Sequence, residues 1–431
     1  MTDFRFHTSR REFLSGSLGL LSAAGTLPLF LGGTVRALAG PDKNPAQRDR
    51  EGRVLVVVQL AGGNDGLNTC VPYEMDPYYR LRPRLAVPKR EVLKLEDGIG
   101  LHPAATGLKA LFDAGRMAIV QGVGYPNPNR SHFTSMDIWH TADPELRKHE
   151  GWLGRYFDAC CAGSEPTPDP ITGVALMRES PLAMQGEKFA PLSFENPESL
   201  TWRAAARDRD AAATFRRLQG APAAASQPVD PDENLAAYLE RAALQAIVGA
   251  EQIRTAAGRE LRSSGRRGGE GGALGRELQL VARMIAADLP TRVYYVSMGG
   301  FDTHTTQETR HRRLLSEFSA AMQDFIETLE ADKLLDRVLV VTFSEFGRRA
   351  QENSSGGTDH GEAAPMFLFG SKVLPGLHQP HPDLGKLHRG DLAFGVDFRR
   401  VYSTVLRHWL GIGPEKVIGG GHAPMRLLKN A

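Results

Sequence analysis

Four apolar runs, each closed by a polar loop, set the strongest limit on what this chain can fold into. Residues 53–63 read RVLVVVQLAGG, 116–124 RMAIVQGVG, 291–300 TRVYYVSMGG and 336–347 DRVLVVTFSEFG. None alternates apolar with polar as a strand with one wet face does. Each is therefore expected to be buried on both sides, as in a parallel sheet. Helical periods lie around them. Residues 102–115 set Leu108, Leu111 and Phe112 on one side and stop at Gly115. Residues 311–332 gather Leu314, Leu315, Phe318, Met322, Phe325, Ile326 and Leu329 on one face, and 397–411 read as a closing helix. Strands alternating with helices give an α/β fold, a three-layer α/β/α arrangement with a largely parallel central sheet.

Two stretches stand outside that pattern. Residues 1–39 begin basic, with paired Arg10-Arg11, continue through a mildly apolar stretch broken by Gly, Ser and Pro, and end in ALAG. The order Ser9-Arg10-Arg11-Glu12-Phe13-Leu14 resembles a twin-arginine export signal. The apolar part is shorter than the ~20 firmly apolar residues of a spanning helix. The expectation is a signal peptide over 1–39, a periplasmic or secreted chain handled by the twin-arginine export machinery, and no transmembrane span in the mature chain of 40–431. Residues 203–275 are rich in Ala, Arg and Glu and end in the Gly- and Arg-rich RSSGRRGGEGGALG. They read as a helical insertion with a linker. The formal charge is +2 and residues 1–39 account for it, so the rest is neutral with no long run of one sign. That excludes a nucleic-acid footprint. Three cysteines, Cys70, Cys160 and Cys161, are too few for a disulfide framework, and any pairing stays open.

In open α/β sheets ligands collect beyond the carboxyl ends of the strands. Here those ends carry chemistry. The first run leads to Asn64 and Asp65, the second to Asn129, Arg130, Ser131 and His132, the third to Asp302 and His304, and the fourth to Glu345, Arg348 and Arg349. A fifth segment, GGTDHG, sets Asp359 and His360 between glycines just ahead of the apolar MFLF. A turn needs the glycines and a strand needs MFLF; neither needs the Asp-His pair. Carboxylates with neutral imidazoles are the ligand set of Zn, Mn, Mg or Ca. Taken singly, each residue also has a structural use: Asp65 as a turn cap, Ser131 as a helix N-cap, Glu345 and Arg348 as an ion pair. No GxSxG, CxxC or HExxH pattern occurs.

GGNDGLNT, YPNPNRSHF, GGFDTH, TFSEFGRR and GGTDHGEAAPMF, in that order, resemble the twin-arginine-exported family catalogued as domain of unknown function 1501. The likeness spans nearly the whole mature chain. That family is grouped with the alkaline phosphatase and sulfatase superfamily, which implies an alkaline-phosphatase-like domain. Asp65 is then similar to the superfamily's first metal aspartate, Ser131 takes the nucleophile's place, and Asp302 with His304 resembles its Asp…His pair. His360 resembles the last metal histidine, with Asp359 as ligand or orienter. Where the superfamily has Asp-His-Gly, this chain has Glu345-Phe346-Gly347, and Phe346 cannot bind a metal. Ser131 also lacks the context converted to formylglycine in sulfatases. The resemblance implies an exported, metal-dependent hydrolase of phosphate or sulfate esters. Asp65, Asp302, His304, Glu345, Asp359 and His360 would hold a divalent metal, with Ser131 as nucleophile and Arg130 and Arg348 clamping a small anionic ester. The alternative is a non-catalytic envelope protein that keeps the fold to bind a partner or ligand. A weaker option gives the metal role to His378, His381 and His388.

Overall fold

A computed structural model of the chain describes residues 52–160, 170–200, 249–261 and 270–429. The signal peptide expected over 1–39 lies outside them, as does most of the expected insertion, of which 249–257 is helical. In chain order the strands are β1 (Val54–Leu60), β2 (Cys70–Val71), β3 (Leu93–Lys94), β4 (Gly100–Leu101), β5 (Met117–Gly124) and β6 (Gly173–Ala175). After them come β7 (Leu192–Ser193), β8 (Val293–Met298), β9 (Val338–Phe343), β10 (Ala364–Phe369), β11 (Gly376–His378) and β12 (Val396–Asp397). The main helices are α1 (Thr106–Asp113), α2 (His132–Thr141), α3 (Trp152–Cys160), α4 (Gly272–Ala286), α5 (Gln307–Ala331) and α6 (Phe398–Thr404).

The central sheet runs β11-β5-β10-β9-β1-β8-β6-β7, with β12 also on β5. All seven residues of β1 are buried, because the sheet is covered on both faces. Val56, Tyr294 and Val340 stand in register and join one core with α1, α4 and α5; Val57, Tyr295 and Val341 join the other with α2, α3 and α6. One strand thus feeds two cores through its period of two, and the result is three layers. Each fully buried Val or Leu of β1 contributes about 1.5–3 kcal/mol relative to exposure.

Strand direction decides where the polar loops go. β1 is parallel to β8 and β9, β8 to β6, β6 to β7, and β11 and β12 are parallel to β5. β10 is antiparallel to both β5 and β9. The loops after β1, β5, β8 and β9 therefore share one edge, and the segment before β10 reaches the same edge. That is why Asp359-His360 precedes its strand while the other polar groups follow theirs.

The helices keep their expected faces with shifted ends. α5 starts at Gln307, a turn earlier than the apolar period, because Gln307 and His311 are buried polar residues facing the same edge. The closing helix passes from α6 into a π-helix over Val405–Leu410 and ends at Gly411 with φ +78°. The small sheet β2-β4-β3 is made of two-residue strands that carry no legible period. Cys70 is buried, Cys160 is at the surface, and Cys161 is outside the described residues. Among the described residues no helix is long and apolar enough to cross a membrane.

Candidate metal centre

At the shared edge, three imidazoles turn inward on one carboxylate. Asp302, at the end of the loop after β8, places Oδ1 3.1 Å from His304 Nε2 and 3.1 Å from His360 Nε2. The two Nε2 atoms are 2.9 Å apart. Asp302 Oδ2 lies 3.6 Å from Nε2 of His132, the first residue of α2. His132, Asp302 and His360 each offer a donor atom within 4.8 Å of the others.

The other ring nitrogens settle the protons. His360 Nδ1 donates to the Arg130 carbonyl at 2.8 Å, His304 Nδ1 to Asp359 Oδ1 at 3.1 Å, and His132 Nδ1 to Glu345 Oε1 at 2.9 Å. With Nδ1–H committed, each neutral ring presents a lone pair at Nε2. Two lone pairs 2.9 Å apart, beside a carboxylate oxygen, repel unless positive charge sits between them. Ligands bound to a tetrahedral ion at 2.0–2.1 Å stand about 3.3 Å apart, close to these spacings. A histidine that gives Nδ1–H to a carbonyl or carboxylate is also the usual form of a metal ligand. The donor set fits a divalent cation.

Burial and charge tune the group. Burial would raise the Asp302 carboxyl, but its bonds to Arg348 and His360 hold it down at about 2. Asp359 is held below the usual carboxylate range by its bonds to Asn353 and His304, against burial. Burial lowers His360, which favours the neutral ring. Phe346, 1% exposed, packs against His132 and His360 with ring centroids 4.9 and 4.3 Å away. It forms an apolar wall that fixes both rings.

The backbone is shaped for this approach. The segment before β10 presses on the loop after β8: Thr358 N–H donates to the Thr303 carbonyl at 3.2 Å, and Gln307 N–H to the Gly356 carbonyl at 3.0 Å. A Cβ at Gly357 would stand 2.3 Å from the His304 carbonyl. Glycine is there because nothing larger fits.

Not every expected residue joins the group. Asp65, expected as a first ligand, is 1% exposed and committed elsewhere. It ion-pairs with Arg82 Nη1 at 2.5 Å, accepts from Gln307 Nε2, and caps the one-turn helix Gly66–Thr69 through the N–H groups of Leu67 and Asn68. Burial works to raise its carboxyl, and Arg82 and His311 outweigh that, so it stays below the usual range.

Arg348, expected as an anion clamp, is 1% exposed and ties loops together. Its Nε donates to the Gly63 carbonyl at 2.7 Å, Nη1 to Thr358 at 2.9 Å, and Nη2 to Phe301 at 2.9 Å and to Asp302 Oδ1 at 2.8 Å. Arg130, the other expected clamp, turns its guanidinium to buried Asp391. Ser131 is the exposed N-cap of α2, and its side chain makes no capping bond. Glu345 reaches the group through His132 and also accepts the Gly62 N–H at 2.8 Å. The loop histidines take separate partners: His378 the Leu374 carbonyl, His381 the Pro382 carbonyl, His388 the Glu362 carboxylate. His132 is the site residue that sequence reasoning left out. Its signal was present, a histidine on the first turn of a helix right after a strand-end loop, but Ser131 beside it drew the assignment.

A family profile described as "Protein of unknown function (DUF1501)" matches residues 53–428. No curated protein sequence matches the chain. Among solved structures the chain is similar to the lipoteichoic acid synthase LtaP from Listeria monocytogenes, with 9% identity, 96% of this chain and 82% of that chain covered, and a TM-score of 0.34. It is similar to Ps i-CgsB, with 11% identity, 86% and 75% covered, and a TM-score of 0.37. It is also similar to the phosphonate monoester hydrolase SpPMH from Silicibacter pomeroyi, with 10% identity, 87% and 78% covered, and a TM-score of 0.27. These overlaps are loose.

Proposed function

The chain belongs to the DUF1501 family, whose description names no activity, and from its site we propose an exported, metal-dependent hydrolase of phosphate or sulfate esters. One observation carries this reading. Three histidines hand their Nδ1 protons to the protein and turn Nε2 toward a single carboxylate, Asp302. Asp302, His304, His360 and His132 would hold the cation, with Asp359 and Glu345 orienting two of the rings. The cation, when bound, supplies positive charge for the ester's anionic oxygens and lowers the pKa of a nearby hydroxyl or water.

The chain's own residues do the rest. Ser131 stands at the N-terminus of ten-residue α2, where free backbone N–H groups favour negative charge. Its chain neighbour His132 belongs to the group. We assign Ser131 as nucleophile. Its oxygen attacks phosphorus or sulfur in line, giving its proton to solvent water, and the alcohol leaves from the opposite side with a proton from water. A second water then cleaves the serine ester, releasing phosphate or sulfate and restoring the hydroxyl. Asp302 and His304 are half exposed, with side chains 45% and 42% accessible, which leaves that side of the group open to substrate. Export by the twin-arginine route, with the periplasm or outside as destination, belongs to the same proposal and rests on the N-terminal sequence alone.

The test uses purified protein, elemental analysis, and aryl phosphate and aryl sulfate as substrates. Stoichiometric divalent metal and turnover are expected. His360→Gln should lose both, and Ser131→Ala should keep the metal and lose turnover. Undiminished turnover in Ser131→Ala would remove the nucleophile assignment. Phe346 favours a second reading, a non-catalytic envelope protein, because it fills the position after Glu345 with an apolar ring. Metal-free protein whose stability ignores chelator would support that one.

A further inference from the structure

One buried device beside the centre has no part in the reaction proposed above. In the loop between β11 and β12, His388 and Asp391 exchange both backbone hydrogen bonds, each at 2.9 Å. The two residues between them have positive φ, +53° at Arg389 and +85° at Gly390, as in a two-residue type I′ hairpin turn. Residues facing each other across such a turn send their side chains to the same side. Here Asp391, with a side chain 0% exposed, meets the Arg130 guanidinium and lies 3.2 Å from Arg349 Nε. His388 Nδ1 donates to Glu362 at 2.9 Å, and Glu362 lies 3.7 Å from Arg130. Arg349 closes the turn from below by donating Nη2 to the Arg389 carbonyl at 2.6 Å. A Cβ at Gly390 would come within 2.7 Å of that nitrogen.

Both arginines are joined to the centre through their backbones. The Arg130 carbonyl is the acceptor for His360 Nδ1–H at 2.8 Å. The Arg349 N–H donates to the Asp359 carbonyl at 2.9 Å. One buried carboxylate thus holds the two strand-end loops between which the Asp359-His360 segment is strung. Without its charge, the half-exposed Arg130 and Arg349 side chains lose the carboxylate that both approach, and Arg130 is left with Glu362 at 3.7 Å.

We infer that Asp391 is a positioning residue for the centre: by holding Arg130 and Arg349 it keeps the Arg130 carbonyl where it fixes His360 as the Nδ1–H tautomer, Nε2 toward Asp302. The inference rests on reading the group as a cation site, but its first readout does not need the cation. Full-length protein labelled with ¹⁵N-histidine gives the His360 tautomer from long-range ¹H–¹⁵N spectra, with His360→Gln supplying the assignment. Wild type is expected to show Nδ1–H. Asp391→Asn is expected to show a tautomer mixture and zinc binding weakened about 10- to 100-fold in chelator competition. Arg349→Gln should move both the same way by less. Asp383→Asn, on the same loop but at the surface, should move neither. A folded Asp391→Asn that keeps the wild-type tautomer overturns the inference. Should that variant fail to fold, the Arg349→Gln spectrum decides by the same criterion. A tautomer change in Asp391→Asn alongside a wild type that takes up no zinc keeps this inference and sinks the cation reading, so the two failures are distinguishable.

Discussion

His132 and Asp65 show how much a residue's meaning depends on its neighbours. Asp65 follows a strand and precedes a glycine, which suits a metal ligand and a helix cap equally well on paper. The presence of Arg82, seventeen positions on and fully buried, decides for the cap and the ion pair. Nothing in the sequence marks Arg82, because arginine is usually exposed and its burial goes with its bonds to Asp65, Asn68 and the distant Arg349 and Ala350 carbonyls. Replacing Arg82 by Met should therefore strand the Asp65 charge and cost about 3–5 kcal/mol in urea unfolding, even with chelator present. A ligand role for Asp65 predicts instead that the loss follows the metal. His132→Ala should weaken cation binding by well over the 10- to 100-fold expected of Glu345→Gln, which exchanges its orienting carboxylate for a neutral amide. Isothermal titration of both variants measures the difference.

The strands were legible as elements because unbroken runs of Val, Leu, Ile and Phe have no other common use. The burial of those runs on both faces followed from their lack of alternation, whereas the two- and three-residue strands that complete the sheets carried no signal. The direction of β10 did not, because a strand reads the same either way, and its reversal is what brings His360 to the rim. Helix α5 was legible on its apolar face and illegible at its start, where polar Gln307 and His311 are buried by the loops they bond. The contact between the segment before β10 and the loop after β8 has a direct test. Gly357→Ala would force the two apart at a 2.3 Å contact. It should cost about 1–3 kcal/mol and loosen the cation at the same time. Calorimetry with and without zinc separates the two effects, and an unchanged zinc affinity would mean that the contact does not position His304.

The whole molecule carries several imidazoles held away from bulk water, His102, His140 and His311 buried and His381 half-buried. Burial holds His102 and His140 at about 3 and His311 and His381 at about 4. The unfolded chain protonates these rings near 6.5, so between that value and the folded values it binds more protons than the native state. Their stabilisation is complete above about pH 6.5 and drains away as pH falls toward 4 and 3. Glu277, raised to about 7 by burial, works in the opposite direction over pH 4.5 to 7, and Asp137 and Asp391, also raised by burial, work with it. Urea midpoints should fall from pH 7 to pH 5, and His140→Phe should flatten that slope. A cation at a hundredfold excess over its Kd should add about 2.7 kcal/mol, seen as a Tm rise that chelator reverses.

The reversed strand also fixes where the chain can be opened. Because β10 grips His360 from the downstream side, Ser354 and Ser355, both exposed, lie at the tip of the 353–357 turn that leads to the rim. A short epitope spliced between them should leave zinc uptake intact. The same splice after Gly361, between the histidine and its anchoring strand, should abolish it.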